Sequence, residues 1–534
     1  MSRTRRAVRA IAARMHRSAS RAGRTRGRLF GVTSAALAVS LLLSGCVSWF
    51  MPSASSMTST PTGEAVAPGL ERFYQQVLEW ANCGDAVQCS TAIAPVDWEN
   101  PDGDTIELAL VRQTARGNDR IGSLLVNPGG PGGSGFDFVA DSVDYATSEA
   151  LQSQFDVVGF DPRGVNRSTP VSCYSDPAEL DEYIYGITPG EKGTDEWIAA
   201  ATEVSAQFAQ RCLDETGPFL GFVDTPSAAR DLDMLRAALG DTTLNYLGYS
   251  YGTLLGQVYA ELFPEKTGRL VLDGAVDPAA SEFEATKAQA QGFERALNAF
   301  LVDCAGASDC PFTGSTEQSR TLIRTLLDRL DQSPLGNADG RKLGSATMFT
   351  AIILPLYSQD NWAYLRQLFT TVLQGDASIA FDLADSYNGR GPDGAYLENQ
   401  TEAFIAINCL DARQPADNDR MREQAAKLAV AAPIFGPQMS YGEPGCANWP
   451  VEAKRERVAI AAPGAADMLV IGTTNDPATP YEWAQKVADN LDSGHLITYN
   501  GEGHTAYNKS NACVNTAVED FLLKGVVPGA DPNC

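Results

Sequence analysis

Histidine is almost missing from this sequence: three residues in 534, His16, His495 and His504. No C-x-x-C pair occurs among its eleven cysteines. No metal is therefore expected, because His and Cys sites need their ligands clustered. Positive charge is scarce once the start of the chain is set aside. Residues 1–45 carry ten arginines and no acidic side chain; without them the 41 basic residues fall to 31 against 66 acidic ones, a formal charge near −35. Nucleic acid is excluded as an expected partner, since phosphate binding needs clustered positive charge. Long apolar runs are missing too. Leu29–Leu43 is about 15 residues, short of the ~20 that cross a bilayer.

What stands at the start is an address. A basic region, a short apolar run and Leu43-Ser44-Gly45-Cys46 describe a secretory signal over residues 1–45. The cysteine after Ser44-Gly45 resembles a bacterial lipobox, which makes Cys46 the lipidated N-terminus and the outer face of the cell membrane the expected location. A simple cleaved signal, giving a secreted protein, is the alternative, and Met15 competes with Met1 as the start. Residues 46–66, rich in Ser, Thr and Pro, read as a flexible tether. Ten cysteines remain after Cys46, and an even number in an exported chain reads as disulfides. Ten permit ~945 pairings. The simplest joins neighbours in order: Cys83–Cys89, Cys173–Cys212, Cys304–Cys310, Cys409–Cys446 and Cys513–Cys534.

The chain is organised around Leu244–Leu255. A short β-type run enters Gly248-Tyr249-Ser250-Tyr251-Gly252, and a helical pattern leaves it. This is G-x-S-x-G in strand–turn–helix context, the form of a nucleophile elbow. The turn lifts the Ser250 hydroxyl above the sheet and aims the Tyr251 amide at the same spot. Read alone, the stretch is also compatible with a glycine-bounded loop.

Apolar β-rich runs recur at Ile106–Val111, Gly122–Val126, Phe155–Phe160, Leu244–Leu247, Arg269–Leu272, Met468–Ile471 and His495–Tyr499. Their mostly continuous apolar character suits strands buried on both faces of a parallel sheet. Such sheets place ligands at the carboxyl ends of their strands. There lies Asn127–Gly135, N-P-G-G-P-G-G-S-G, whose backbone can approach a substrate closely; Gly130 is the expected second oxyanion donor beside Tyr251. It lacks the spacing of a phosphate-binding loop. Asp161–Ser168 looks like the D-x-R-G-x-G-x-S loop of many α/β-hydrolases, with Asn166 for the second glycine and Arg163 as a structural brace. Asp476 follows Met468–Ile471, and His504 follows His495–Tyr499. Chain order is Ser, Asp, His, as this type of sheet requires. An imidazole must take the serine proton, and a carboxylate must orient the imidazole. His495 lies at the wrong end of its strand, which leaves His504.

These motifs together resemble the exported tripeptidyl aminopeptidase-like α/β-hydrolases of actinobacteria, relatives of proline iminopeptidase. The likeness covers most of the mature chain, through P-V-D-W-E-N-P at 95–101, the glycine loop, D-P-R-G, G-Y-S-Y-G-T, L-D-G-A-V-D-P at 272–278, N-D-P-A-T-P and G-E-G-H-T. It implies an α/β-hydrolase fold with a lid between two parts of the core. Residues 67–277 would be the first part, 278–460 a large, mainly helical lid insertion, and 461–534 the part bearing Asp476 and His504. It also implies a serine aminopeptidase that needs no cofactor and releases short peptides through the triad Ser250, Asp476 and His504. An esterase or lipase with the same triad is the second reading, and a non-catalytic binding lipoprotein the third. A peptide's α-ammonium needs a carboxylate, since burying it unpaired costs several kcal/mol. Candidates are Glu282 and Glu284, which open the insertion, and Asp411, which follows Cys409.

Overall fold

The computed structural model of the protein describes residues 57–412, 415–453 and 455–534. The expected signal and the lipidation site Cys46 lie outside the described residues. The strands in chain order are β1 (Met57–Thr58), β2 (Glu79–Gly84), β3 (Val87–Pro95), β4 (Thr105–Gln113), β5 (Gly122–Asn127), β6 (Phe155–Phe160), β7 (Leu244–Tyr249), β8 (Thr267–Asp273), β9 (Leu335–Gly336), β10 (Lys342–Leu343), β11 (Met468–Asn475) and β12 (Gly494–Glu502). Ten of them form one sheet in the order β1-β2-β3-β4-β6-β5-β7-β8-β11-β12, and β9 and β10 form a separate ribbon. Every pair from β6 to β12 is parallel; β1 to β4, and β4 against β6, are antiparallel. The crossed order β4-β6-β5-β7, with the nucleophile elbow after β7, is that of an α/β-hydrolase fold.

All seven apolar runs are strands. β5 and β6 bury all six of their residues, because helices cover both faces. Thr225–Leu239 and Tyr251–Leu262 pack on one side, and Gly135–Ala146 and Ala512–Lys524 on the other. Leu124, Leu125 and Val126 are each no more than 1 % exposed, worth about 1.5–3 kcal/mol apiece against an exposed side chain. Five disulfides join Cys83–Cys89, Cys173–Cys212, Cys304–Cys310, Cys409–Cys446 and Cys513–Cys534.

Three expectations about organisation need correction. The tether does not extend to residue 66. Met57 and Thr58 pair with Trp80 and Glu79, the Thr62 amide donates to the Ala237 carbonyl, and Glu64 pairs with Arg236 at 2.5 Å and Lys266 at 2.7 Å. Ser, Thr and Pro here serve an edge strand and a docked loop. Second, the insertion is not all lid. Helices Glu282–Cys304, Thr316–Gln332, Ser345–Leu356, Trp362–Leu373 and Ser378–Asn388 share a core of their own, but helix Gln400–Asp411 buries Ala403, Ala406, Ile407 and Leu410 in the hydrolase core. Third, the first part of the core lends a helix to the cap: Pro177–Tyr185 buries Tyr185 in the cap core, and Asp181 pairs with Arg390 at 2.7 Å.

Candidate active site

Ser250 sits between β7 and helix Tyr251–Leu262 at φ 55°, ψ −123°, a backbone conformation that costs about 1–3 kcal/mol unless its surroundings fix it. They do. A Cβ on Gly248 would fall 2.4 Å from the Gly252 carbonyl oxygen, so the turn closes only with glycine there. The Ser250 amide donates to the Asp273 carbonyl at 2.9 Å, and Thr253 Oγ1 donates to the Ser250 carbonyl at 2.6 Å. The glycine loop lies against this elbow: a Cβ on Gly129 would be 2.9 Å from Ser250 Cβ and 3.0 Å from the Tyr251 nitrogen. Gly130 is the next residue. The loop is pinned by Asn127 Oδ1, which accepts the Gly129 amide at 2.9 Å. At its other end Ser134 caps helix Gly135–Ala146 and donates to Asp161 at 2.6 Å.

Asp476 and His504 meet at the same end of the sheet. His504 Nδ1 is 2.9 Å from each oxygen of Asp476, and the imidazole keeps 13 % exposure while the carboxylate has none. Asp476 also accepts the amides of Ala478 and Thr479 at 2.9 Å, the Thr479 hydroxyl at 3.0 Å and the Thr505 amide at 3.2 Å. These donors occupy the carboxylate's acceptor positions, and Nδ1 is placed to donate to it. The His504 amide donates to the Tyr357 carbonyl of the cap at 2.8 Å, with the Tyr357 ring 5.4 Å from the imidazole. The elbow and this loop share an end of the sheet: Tyr249 pairs with Asp273, and Asp273 with Ile471. His495, at the other end of β12, pairs with Asp467 at 2.8 Å.

The three carboxylates considered for an ammonium divide sharply. Glu284 is spent in a capping box with Ser281, and Glu282 pairs with Arg457 at 2.6 Å. Both lie on the exposed start of helix Glu282–Cys304, where water already solvates them, so both are withdrawn as anchors. Asp411 ends helix Gln400–Asp411 and is half-buried. It accepts the Thr225 amide at 2.8 Å and the Thr225 hydroxyl at 2.5 Å, and that hydroxyl is 2.5 Å from the phenol of Tyr251. Burial, with Asp224 adding like charge, pushes the Asp411 carboxyl up to about 6. It keeps some accessible surface.

Several contributors escaped the motifs. Thr479 is visible only as the last Thr of N-D-P-A-T-P, and Thr225 and Tyr357 follow no strand-end pattern. Arg163 is the brace expected of it: fully buried, it grips Asp231 through two nitrogens at 2.7 Å and three backbone carbonyls. Among the described residues no group of three or more His, Cys, Asp or Glu could hold a metal ion, and no helix is long and apolar enough to cross a membrane. A cavity of about 490 Å³ opens beside Asn475 and Glu502, and an apolar groove of about 580 Å³ lies between helices Glu282–Cys304 and Asn418–Ala431. Ser250 lines neither, so the site is read from its strand-end loops.

The family described as TAP-like protein matches residues 432–534. Over nearly its whole length the chain is similar to three named proteins. It is 35% identical to serine protease Hip1 of Mycobacterium tuberculosis, covering 95% of this chain and 98% of that one. It is 38% identical to carboxylesterase B of the same species, covering 94% and 98%. It is 30% identical to tripeptidyl aminopeptidase of Streptomyces lividans, covering 96% and 97%. An acetylester hydrolase structure from Corynebacterium glutamicum aligns at 12% identity and a TM-score of 0.35, over 78% of this chain and 89% of that one.

Proposed function

The chain belongs to the TAP-like serine hydrolases of the α/β-hydrolase fold, and we propose that it is an exported, lipid-anchored exopeptidase that releases short peptides, tripeptides first, from peptide N-termini. Ser250 is the nucleophile and His504 the base. With Nδ1 donating to Asp476, Nε2 is the nitrogen left to take the serine proton. Asp476 stabilises the imidazolium that results. The amides of Tyr251 and Gly130 receive the oxyanion, where removing one donor costs about 10²–10³ in rate. The imidazolium protonates the leaving amine, and a water then releases the acyl group from Ser250 by the same route.

Asp411 is the remaining anchor for the substrate's ammonium, and the observation that carries the exopeptidase reading is its half-buried place beside Thr225. An ionisable carboxylate tied through Thr225 to Tyr251 stands at a fixed separation from the elbow, which a peptidase counting residues from an N-terminus requires. The 38% identity to a protein named carboxylesterase B favours the esterase as the second reading. Tripeptide, dipeptide, N-acetylated peptide and simple acyl-ester chromogens assayed side by side separate the two. Free tripeptides should be turned over best. Esters cleaved well, with no preference between free and acetylated peptides, would give the site to an esterase. Anchoring at Cys46 is tested by palmitate labelling, which a Cys46→Ala variant should lose.

A further inference from the structure

Asp273 closes β8, is fully buried, and has no place in the triad. Its backbone carbonyl accepts the amide of Ser250 at 2.9 Å. Its carboxylate reaches the turn after His504, accepting the Ala506 amide at 3.0 Å on both oxygens and the Tyr507 amide at 2.8 Å. The turn begins with Thr505 at φ 66°, a left-handed conformation that a β-branched residue holds only when its surroundings over-determine it. The Thr505 hydroxyl donates to the His504 carbonyl and accepts from Lys509 Nζ, both at 2.6 Å. Lys509 lies 4.5 Å from the ring centres of Tyr145 and Tyr249. Burial raises the Asp273 carboxyl's pKa, and Lys509, the two amides and His504 oppose that rise. Gly274 follows at once, and a Cβ there would be 3.2 Å from His504 Cε1.

We infer that Asp273 is a positioning residue of the hydrolysis, one that sets the separation of Ser250 and His504 by holding the elbow through its carbonyl and the strained 504–507 turn through its carboxylate. The inference rests on Ser250 and His504 being nucleophile and base. It differs from a fold-holding role in what it protects, because a buried carboxylate at the far end of the sheet would stabilise the fold without touching the rate. Asp241, half-buried just before β7, is the comparable group there: it accepts the Ser123 amide at 3.2 and 3.3 Å.

The test compares Asp273→Asn with Asp241→Asn, measuring kcat and KM per active site titrated with a fluorophosphonate. The asparagine keeps the shape but replaces one acceptor oxygen with a donor nitrogen. Asp273→Asn should lower kcat about 10–100-fold, the range of a small misplacement of reacting groups, with KM within about twofold. Asp241→Asn should lose stability only, its kcat staying within about twofold. Equal kcat losses in the two variants, or an undiminished kcat in Asp273→Asn, would overturn the inference. Should Asp273→Asn not fold, Lys509→Met removes the clamp from its solvent side. A drop of about 3–10-fold in kcat at constant KM is expected, and no drop would overturn it. A wild-type protein that the fluorophosphonate fails to label at Ser250 would remove the underlying reading, and this one with it.

Discussion

The strand-end loops and the inserted helices, the docked wall of the proposed site, are held in place by different means. In the loops, Ser250 and Asp476 find their partners within their own motif or one strand away, although Asp273 reaches Ala506 and Tyr507 two strands on. Asp476 is met by the amides of Ala478 and Thr479, and Ser250 by the carbonyl of Asp273. In the insertion the partners are remote. Asp411 meets Thr225, 186 positions earlier, and Glu402 meets Cys173, 229 positions earlier. Chemistry that a backbone turn enforces is written in contiguous residues. Chemistry that docking enforces is not, and it is the docked wall that distinguishes one hydrolase from another on this fold.

The largest effect that could break this division lies in the loops. Ser250→Ala should lower kcat on a tripeptide amide by about 10⁴–10⁶, and His504→Ala by about as much, with the double variant hardly worse, because nucleophile and base act as one unit. If the two losses multiplied, the loops would not form one device. Next is the brace beneath them. Arg163→Met strands Asp231 in the interior without its cation, which should cost about 3–5 kcal/mol of stability in a denaturant titration. A loss under about 1 kcal/mol, the worth of a surface pair, would show the pair to be dispensable.

The same division explains what the sequence could disclose. G-Y-S-Y-G, N-D-P-A-T-P and G-E-G-H-T are contiguous because sharp turns at strand ends admit few residues, so Ser250, Asp476 and His504 were all legible. The seven continuous apolar runs were legible because both faces of their strands are covered. β2 and β3 were not: as antiparallel strands near the edge they carry exposed polar residues such as Glu79, Asn82 and Thr91. Glu282 and Glu284 misled because nearness to a strand end in sequence says nothing about which way a helix faces. Ser281-Glu282-Phe283-Glu284 had in fact the S-x-x-E form of a capping box, and that local signal accounts for Glu284. Thr225 carries no signature, since its partners Asp411 and Tyr251 lie in other elements; Asp273 stands in L-D-G-A-V-D-P, but nothing in that motif records the distant amides it accepts.

On the docked wall, Asp411→Ala should lower kcat/KM for free-amine peptides about 10–1000-fold, the worth of a charge-assisted contact, and leave acyl esters nearly untouched. The carboxylate must be ionised to hold an ammonium, and its pKa stands at about 6. The preference for free over acetylated N-termini should therefore fade as pH falls through about 6 and return above it. A preference constant from pH 5 to pH 8 would remove Asp411 from the anchor's place.

The smallest effect concerns how the docked helix is latched. Glu402, 6 % exposed, starts helix Gln400–Asp411 and accepts the amides of Cys173 and Tyr174 at 2.6 and 3.2 Å, both on Oε1. Oε2 can thus carry a proton without breaking either bond. Burial pushes this carboxyl up to about 7, against the pull of those two amides. Glu398 nearby is also pushed to about 7, by burial and then by Asp137 and Asp161. A carboxyl whose folded pKa lies above its unfolded value binds more protons folded than unfolded. Its stabilisation is complete below the unfolded value and is lost as pH rises through about 7. The latch should therefore tighten on mild acidification, by about 1 kcal/mol for Glu402 between pH 7 and pH 6. Hydrogen exchange at the Cys173 and Tyr174 amides, corrected for the intrinsic rate, should report it as stronger protection at pH 6 than at pH 7.5. Glu402→Gln keeps the accepting oxygen and removes the titration, so its protection should be level across that range and close to the wild type's at pH 6. Protection that fell on acidification, or a glutamine variant that kept the wild-type slope, would place the titrating group elsewhere and take the pH-sensitive latch away from Glu402.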